Sequence, residues 1–405
     1  MEAVQDPQRL GFDKLRLERI RPWMARYVDG GKLPGALTYV ARRGEVAYLD
    51  WLGKRDVESG AAWTPDSIIR IYSMTKPITS VGLMMLYEHG LFHLDDPVDV
   101  FIPELANLSV LRAGATSIDD VEPLTEPLTV HHLLTHTSGF TYGFNGGVLG
   151  EAYDAHKVGF GPRSGGLVPM IERLATMPLG FQPGARWNYG VSTDVVGRLI
   201  EVISGEPLDE YLNTYVLEPL GMRQTVFGVA EDRLSRFASL YYPGDADGMV
   251  LAENAENSAF RADQVSTISG GGGLCSTIHD YARFTEMLRR GGELDGERLL
   301  GSRTLEFMAG NHLPGDLASM GQAVFAETSF AGIGFGLGFS VMLEPEIAQT
   351  PGSPGDFGWG GRASTLFIVD PVEDMVAIFF TQLAPSSTYP LRKELRALVH
   401  QALVD

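Results

Sequence analysis

Strand-like segments lie near the two ends of this chain and helical ones between them, and that distribution constrains the fold most. ALTYVARR (36–43) and EVAYLDWLG (45–53) read as two strands joined in a tight turn at Gly44. Near the other end, FGLGFSVML (335–343), RASTLFIVD (362–370) and MVAIFFTQL (375–383) read as three more, the last two separated by the turn PVED. A lone hairpin is barely stable in water, so the ends are expected to meet in one antiparallel sheet. An amphipathic helix over 13–29 and a closing helix over 391–404 would flank it. The stretches at 78–90, 168–177, 193–205 and 279–292 carry helical patterns, and Gly90 stops the first of them. The fold class is therefore α+β. We expect a discontinuous sheet domain (1–75 and 275–405), a mainly helical domain (76–274) and an active site at their interface.

The formal net charge is −19. Phosphate backbones and anionic membrane surfaces recruit Lys and Arg, so nucleic-acid and membrane partners are not expected. A single cysteine, Cys275, forbids an intrachain disulfide. No run approaches the roughly 18 apolar residues of a membrane span, and the N-terminal residues lack the apolar core of a secretory signal. The expected location is cytoplasmic. Oligomeric state is left open.

Chemistry enters at IYSMTKPITS (71–80), where Ser73 stands three residues before Lys76 at the head of a helix. Residues three apart share a helical face, so the lysine can reach the serine hydroxyl. A serine becomes a nucleophile when a neighbour takes its proton. A helix N-terminus adds N–H donors for a developing oxyanion. Ser is equally a common N-cap, so this motif is weak by itself.

Other segments raise its weight. HHLLTHTSGF (131–140), FQPGARWNYGVSTDVVGRLIE (181–201), SGGGGLCSTIHDYARF (269–284) and FGWGGRAST (357–365) follow in order. Together with S-x-x-K they resemble the serine β-lactamase and penicillin-binding-protein superfamily, and within it the family VIII carboxylesterases. The resemblance implies a β-lactamase/transpeptidase-like fold and cleavage of short-chain esters through an acyl-enzyme. It implies Ser73 as nucleophile, Lys76 and Tyr189 as its activating partners, and the backbone N–H groups of Ser73 and Arg362 as the oxyanion hole. No cofactor or metal is implied, and the partner is a small-molecule ester.

Two departures from the lactamase pattern shift the reading toward neutral esters. Val191 stands where an asparagine would contact a lactam amide, and Trp359 stands where a lysine would hold the substrate carboxylate. Weak β-lactam hydrolysis stays open. So do an acyltransferase, a true β-lactamase or D-alanyl peptidase, and a non-catalytic binding relative. No G-x-S-x-G occurs, which disfavours the nucleophile-elbow hydrolases.

Trp359, Gly360, Gly361 and Val191 are expected in the substrate pocket. Tyr142, Phe144 and Tyr153, from the Gly- and aromatic-rich stretch 139–166, are expected to line its rim. His132 and His136 are spaced i,i+4 as two metal ligands could be, but no glutamate or third ligand accompanies them, so they and His131 are assigned to structure. Asp194 is read as a cap for the helix that follows.

Overall fold

The alternation of side chains along the terminal strands sets the architecture. In β1 (Gly35–Arg42), Leu37, Tyr39 and Ala41 enter one apolar cluster while Ala36 and Val40 enter another. A computed structural model describes residues 2–245, 248–321, 324, 325 and 328–405. In it β1 pairs with β2 (Glu45–Asp56) across the turn Arg43-Gly44, and β3 (Ala61–Ala62) adds to β2. The C-terminal strands are β4 (Ile333–Phe335), β5 (Ser340–Met342), β6 (Phe357–Gly360), β7 (Leu366–Asp370) and β8 (Met375–Phe380). They join in one eight-stranded sheet of order β4-β5-β6-β7-β8-β1-β2-β3, every pair antiparallel. Tyr39 lies opposite Ile378, which makes the sequence-distant ends neighbours.

Both faces of the sheet are covered. On one side Trp23 and Met24 of α1 (Ile20–Val28) pack with Leu366, Ile368, Ala377 and Phe379. On the other side one apolar cluster joins Phe367, Val369, Val376 and Ile378 to α2 (Thr75–Glu88), α3 (Ser192–Ser204) and α4 (Ile278–Arg289), of which α4 packs on β7 and β8. Leu391, Leu395 and Val399 of α5 (Leu391–His400) return to the first face. Each fully buried large apolar side chain contributes about 1.5–3 kcal/mol. This is the β-lactamase/transpeptidase-like fold the sequence implied. Among the described residues no helix is long and apolar enough to cross a membrane.

Three expected elements differ. Residues 13–29 form a short turn, Lys14–Leu17, and then α1, because Pro22 is tolerated only in the first turn of a helix. The segment 335–343 is no single strand: β4 ends at Phe335 and β5 begins at Ser340, since Gly338 takes a left-handed φ of 98°. The segment 362–370 pairs only from Leu366, and the strand before it, β6, went unread because FGWG has no strand-like pattern.

Candidate active site

Ser73 sits in the turn Tyr72–Met74, which leads directly into α2. Tyr72 holds a left-handed φ of 43°. For a bulky residue that costs roughly 1–2 kcal/mol, so the surroundings must impose it. The Tyr72 ring packs edge-on against Phe260 at 5.5 Å. Behind the turn, Tyr281 Oη donates to the Met74 carbonyl at 2.9 Å, and Leu274 N donates to Thr75 Oγ1 at 3.1 Å. Ser73 thereby lines a cleft of about 700 Å³.

Lys76 is only 2% exposed. Its Nζ donates to Ser73 Oγ at 3.3 Å, to Tyr142 Oη at 2.9 Å and to the Gly271 carbonyl at 2.7 Å. Three partners, two hydroxyls and a carbonyl, thus hold the lysine nitrogen in place. The same Nζ stands 4.6 Å from the centre of the Tyr189 ring. Tyr189 is bedded on Trp187, stacked at 6.0 Å, and on His136 at 5.0 Å. Its hydroxyl accepts from Trp359 Nε1 at 3.3 Å. Burial, and then Lys76, hold the pKa of His136 well below the usual imidazole range. Burial above all pushes the Tyr142 phenol up.

The end of β6 closes the cleft. Gly361 N–H donates to the Thr365 carbonyl at 2.8 Å. A Cβ on Gly361 would lie 2.4 Å from the Ile71 carbonyl oxygen, so this backbone touches the chain just before Ser73 where no side chain fits. Gly360, Gly361 and Arg362 line the cleft beside Ser73 as a result. Gly361→Ala should therefore lower stability by about 1–3 kcal/mol and depress turnover with it. A thermal melt alongside an ester assay checks this, and unchanged melting would mean the two backbones can part without cost.

Tyr142 and Phe144 line the cleft, their rings stacked at 4.9 Å. Tyr142 does more than form a wall, since it bonds Lys76 directly. Tyr153 does not line the cleft: it is fully buried on the core-facing side of the helix Gly147–Ala155. Val191 is also absent from the cleft. It immediately precedes α3 and is 1% exposed, within the apolar core. Trp359 is turned by strand alternation toward the core and a smaller cavity of about 110 Å³; it meets the site through its indole N–H and its ring, 5.5 Å from that of Tyr189. Asp194 is not the cap of α3, a position held by Val191; its carboxylate accepts from Ser269 Oγ and Gly271 N–H.

Of the histidines, His132 closes a capping box with Thr129. His131 Nε2 lies 3.3 Å from His312 Nδ1, and burial pushes His131 down to about 4. Among the described residues no group of three or more His, Cys, Asp or Glu could hold a metal ion. Sequence reasoning missed Asn145, whose Nδ2 donates to the Tyr189 carbonyl at 2.8 Å, though the glycine-rich stretch around it marked a rim. Phe260, Pro385 and Arg392 also line the cleft and carry no motif that could have found them.

The beta-lactamase family model matches residues 20–401, the span that holds every one of these groups. The chain belongs to the beta-lactamase family. Within this family of β-lactamase-fold serine hydrolases it is 32% identical to esterase EstB of Burkholderia gladioli, over 98% of this chain and 99% of that one. In structure it is similar to EstCE1, a hydrolase with promiscuous acyltransferase activity, with a TM-score of 0.80, 26% identity and coverage of 95% and 99%. It is also similar to simvastatin synthase LovD of Aspergillus terreus, with a TM-score of 0.80, 25% identity and coverage of 99% and 98%.

Proposed function

We propose that this protein is a serine carboxylesterase that cleaves short-chain esters through an acyl-enzyme on Ser73. The observation that carries the reading is the cluster at the cleft floor. Lys76 Nζ is 3.3 Å from Ser73 Oγ and 4.6 Å from the Tyr189 ring centre, with all three side chains half-buried or buried. In this reading Tyr189 is the base, with Lys76 beside both it and the serine. Tyr189, as phenolate beside the Lys76 ammonium, takes the Ser73 proton as Oγ attacks the ester carbonyl. The tetrahedral oxyanion lies between the N–H groups of Ser73 and Arg362. Tyr189 then returns the proton to the departing alcohol. Water repeats the sequence on the acyl-enzyme and releases the acid. Such a base and such oxyanion donors each contribute about 10²–10⁴-fold.

Apolar walls from Phe144, Phe160, Pro162 and Phe260 support an uncharged acyl or alcohol group. The resemblance to esterase EstB points the same way. In this reading the helical region 76–274 and the sheet region (1–75, 275–405) meet at the cleft. The protein acts in the cytoplasm on a small molecule, with no nucleic-acid or membrane partner, and the mechanism calls for no cofactor.

A second reading, acyl transfer to an alcohol or amine, has support of its own. A cleft of about 700 Å³ has room for an acceptor beside the acyl group, and the similar EstCE1 is a hydrolase with promiscuous acyltransferase activity. Intact-mass spectrometry after a fluorophosphonate probe, with turnover of p-nitrophenyl acetate and nitrocefin, tests the proposal. Labelling at Ser73 with fast ester and slow nitrocefin turnover is expected. Fast nitrocefin turnover would make it a β-lactamase, and product formation only with an added alcohol would make it a transferase.

A further inference from the structure

Asp194 is the one carboxylate among the described residues that line the cleft, and it is 1% exposed. It projects from the first turn of α3. Its Oδ1 accepts from Ser269 Oγ at 2.5 Å and from Gly271 N–H at 3.0 Å. The carbonyl of that same Gly271 accepts from Lys76 Nζ at 2.7 Å. A Cβ on Gly271 would lie 2.4 Å from Asp194 Oδ2, so the carboxylate can press on this backbone only because the residue is glycine. The glycine run is thus a strap between a buried acid and the lysine.

We propose that Asp194 is a positioning residue for the reaction: through Gly271 it sets the carbonyl that holds Lys76, and it places a negative charge beside that lysine. The inference rests on the Ser73–Lys76–Tyr189 reading above. Two titratable groups face Asp194, Lys76 from α2 and Tyr142 from the cleft rim; the 269–271 strap offers it only a hydroxyl and an N–H. Burial raises Asp194 to about 6, opposed first by Lys76 and then by the Ser269 and Gly271 bonds. Its folded pKa lies above that of an unfolded aspartate, so the stability tied to this group is present at low pH and lost as pH rises through about 6. At neutral pH the fold carries the ionised acid at a cost, as functional sites commonly do.

The test is a pH profile of kcat and kcat/KM on p-nitrophenyl acetate for the wild type, Asp194→Asn and Ser269→Ala, with thermal melts to check folding. The wild type should lose activity below an inflection near 6, where Asp194 takes up its proton. Asp194→Asn keeps an acceptor for the strap and removes the charge. Its kcat at alkaline pH should fall about tenfold or more, one pKa unit's worth of interaction, with the inflection gone and KM little changed. Ser269→Ala keeps the charge but removes a bond that favours it, so the inflection should move to higher pH. Asp194→Asn with wild-type kcat and an unmoved inflection would overturn the proposal and leave the carboxylate a strut. If that variant fails to fold, an unmoved inflection in Ser269→Ala overturns it instead. A wild-type protein that neither turns over the ester nor takes up the fluorophosphonate at Ser73 would remove the underlying reading, and this inference with it.

Discussion

Ser73→Ala should lower kcat on p-nitrophenyl acetate by at least about 10³-fold, because no other group can form the acyl-enzyme at this position. The fold should survive the change. Ser73 is half-buried, and the substitution removes one of the three acceptors around Lys76 Nζ, a loss of about 1 kcal/mol. Steady-state kinetics, a melting curve and loss of fluorophosphonate labelling check it together. Retained turnover in a variant that no longer labels would place the nucleophile elsewhere and undo the proposed mechanism.

Tyr189→Phe should lower kcat by about 10²–10⁴-fold with little change in KM. The phenyl ring keeps its bed on Trp187 and His136, so what is lost is the hydroxyl alone. That loss leaves the buried indole N–H of Trp359 without this acceptor, a cost of about 1–3 kcal/mol in stability. The comparison with Tyr142→Phe is informative, since both rings face Lys76 and Tyr142 takes a direct bond from Nζ at 2.9 Å. A near-normal kcat in Tyr189→Phe together with a collapsed kcat in Tyr142→Phe would transfer the base role to Tyr142.

The two tyrosines also show where sequence reading stops. Ser73 and Lys76 were legible because they are three residues apart on one turn of helix, so local geometry alone brings them together. Tyr189 was legible only through a motif, and nothing in its flanking residues states that it faces a lysine 113 positions earlier in the chain. Tyr142 was read as a wall of the pocket, because its bond to Lys76 depends on how a glycine-rich loop folds back over α2. Tyr153 and Val191 were misplaced for a related reason. Both sit close in sequence to cleft residues, yet helix and turn geometry rotate them into the core.

What the sequence by itself determined is the sheet and the pairing of Ser73 with Lys76 at the head of α2. The nearly unbroken apolar runs in 366–380 suit strands buried on both faces, and β1 from the other end of the chain, buried throughout, pairs with them. The tertiary structure alone decided the electrostatics of the site. Asp194, Gly271 and Lys76 come from three distant segments, and no local rule foretells that the strap 269–271 will carry one bond from an acid to a lysine. The physical reason is that a charge's neighbours in a buried site are set by packing, at distances of a few ångströms that sequence spacing does not encode.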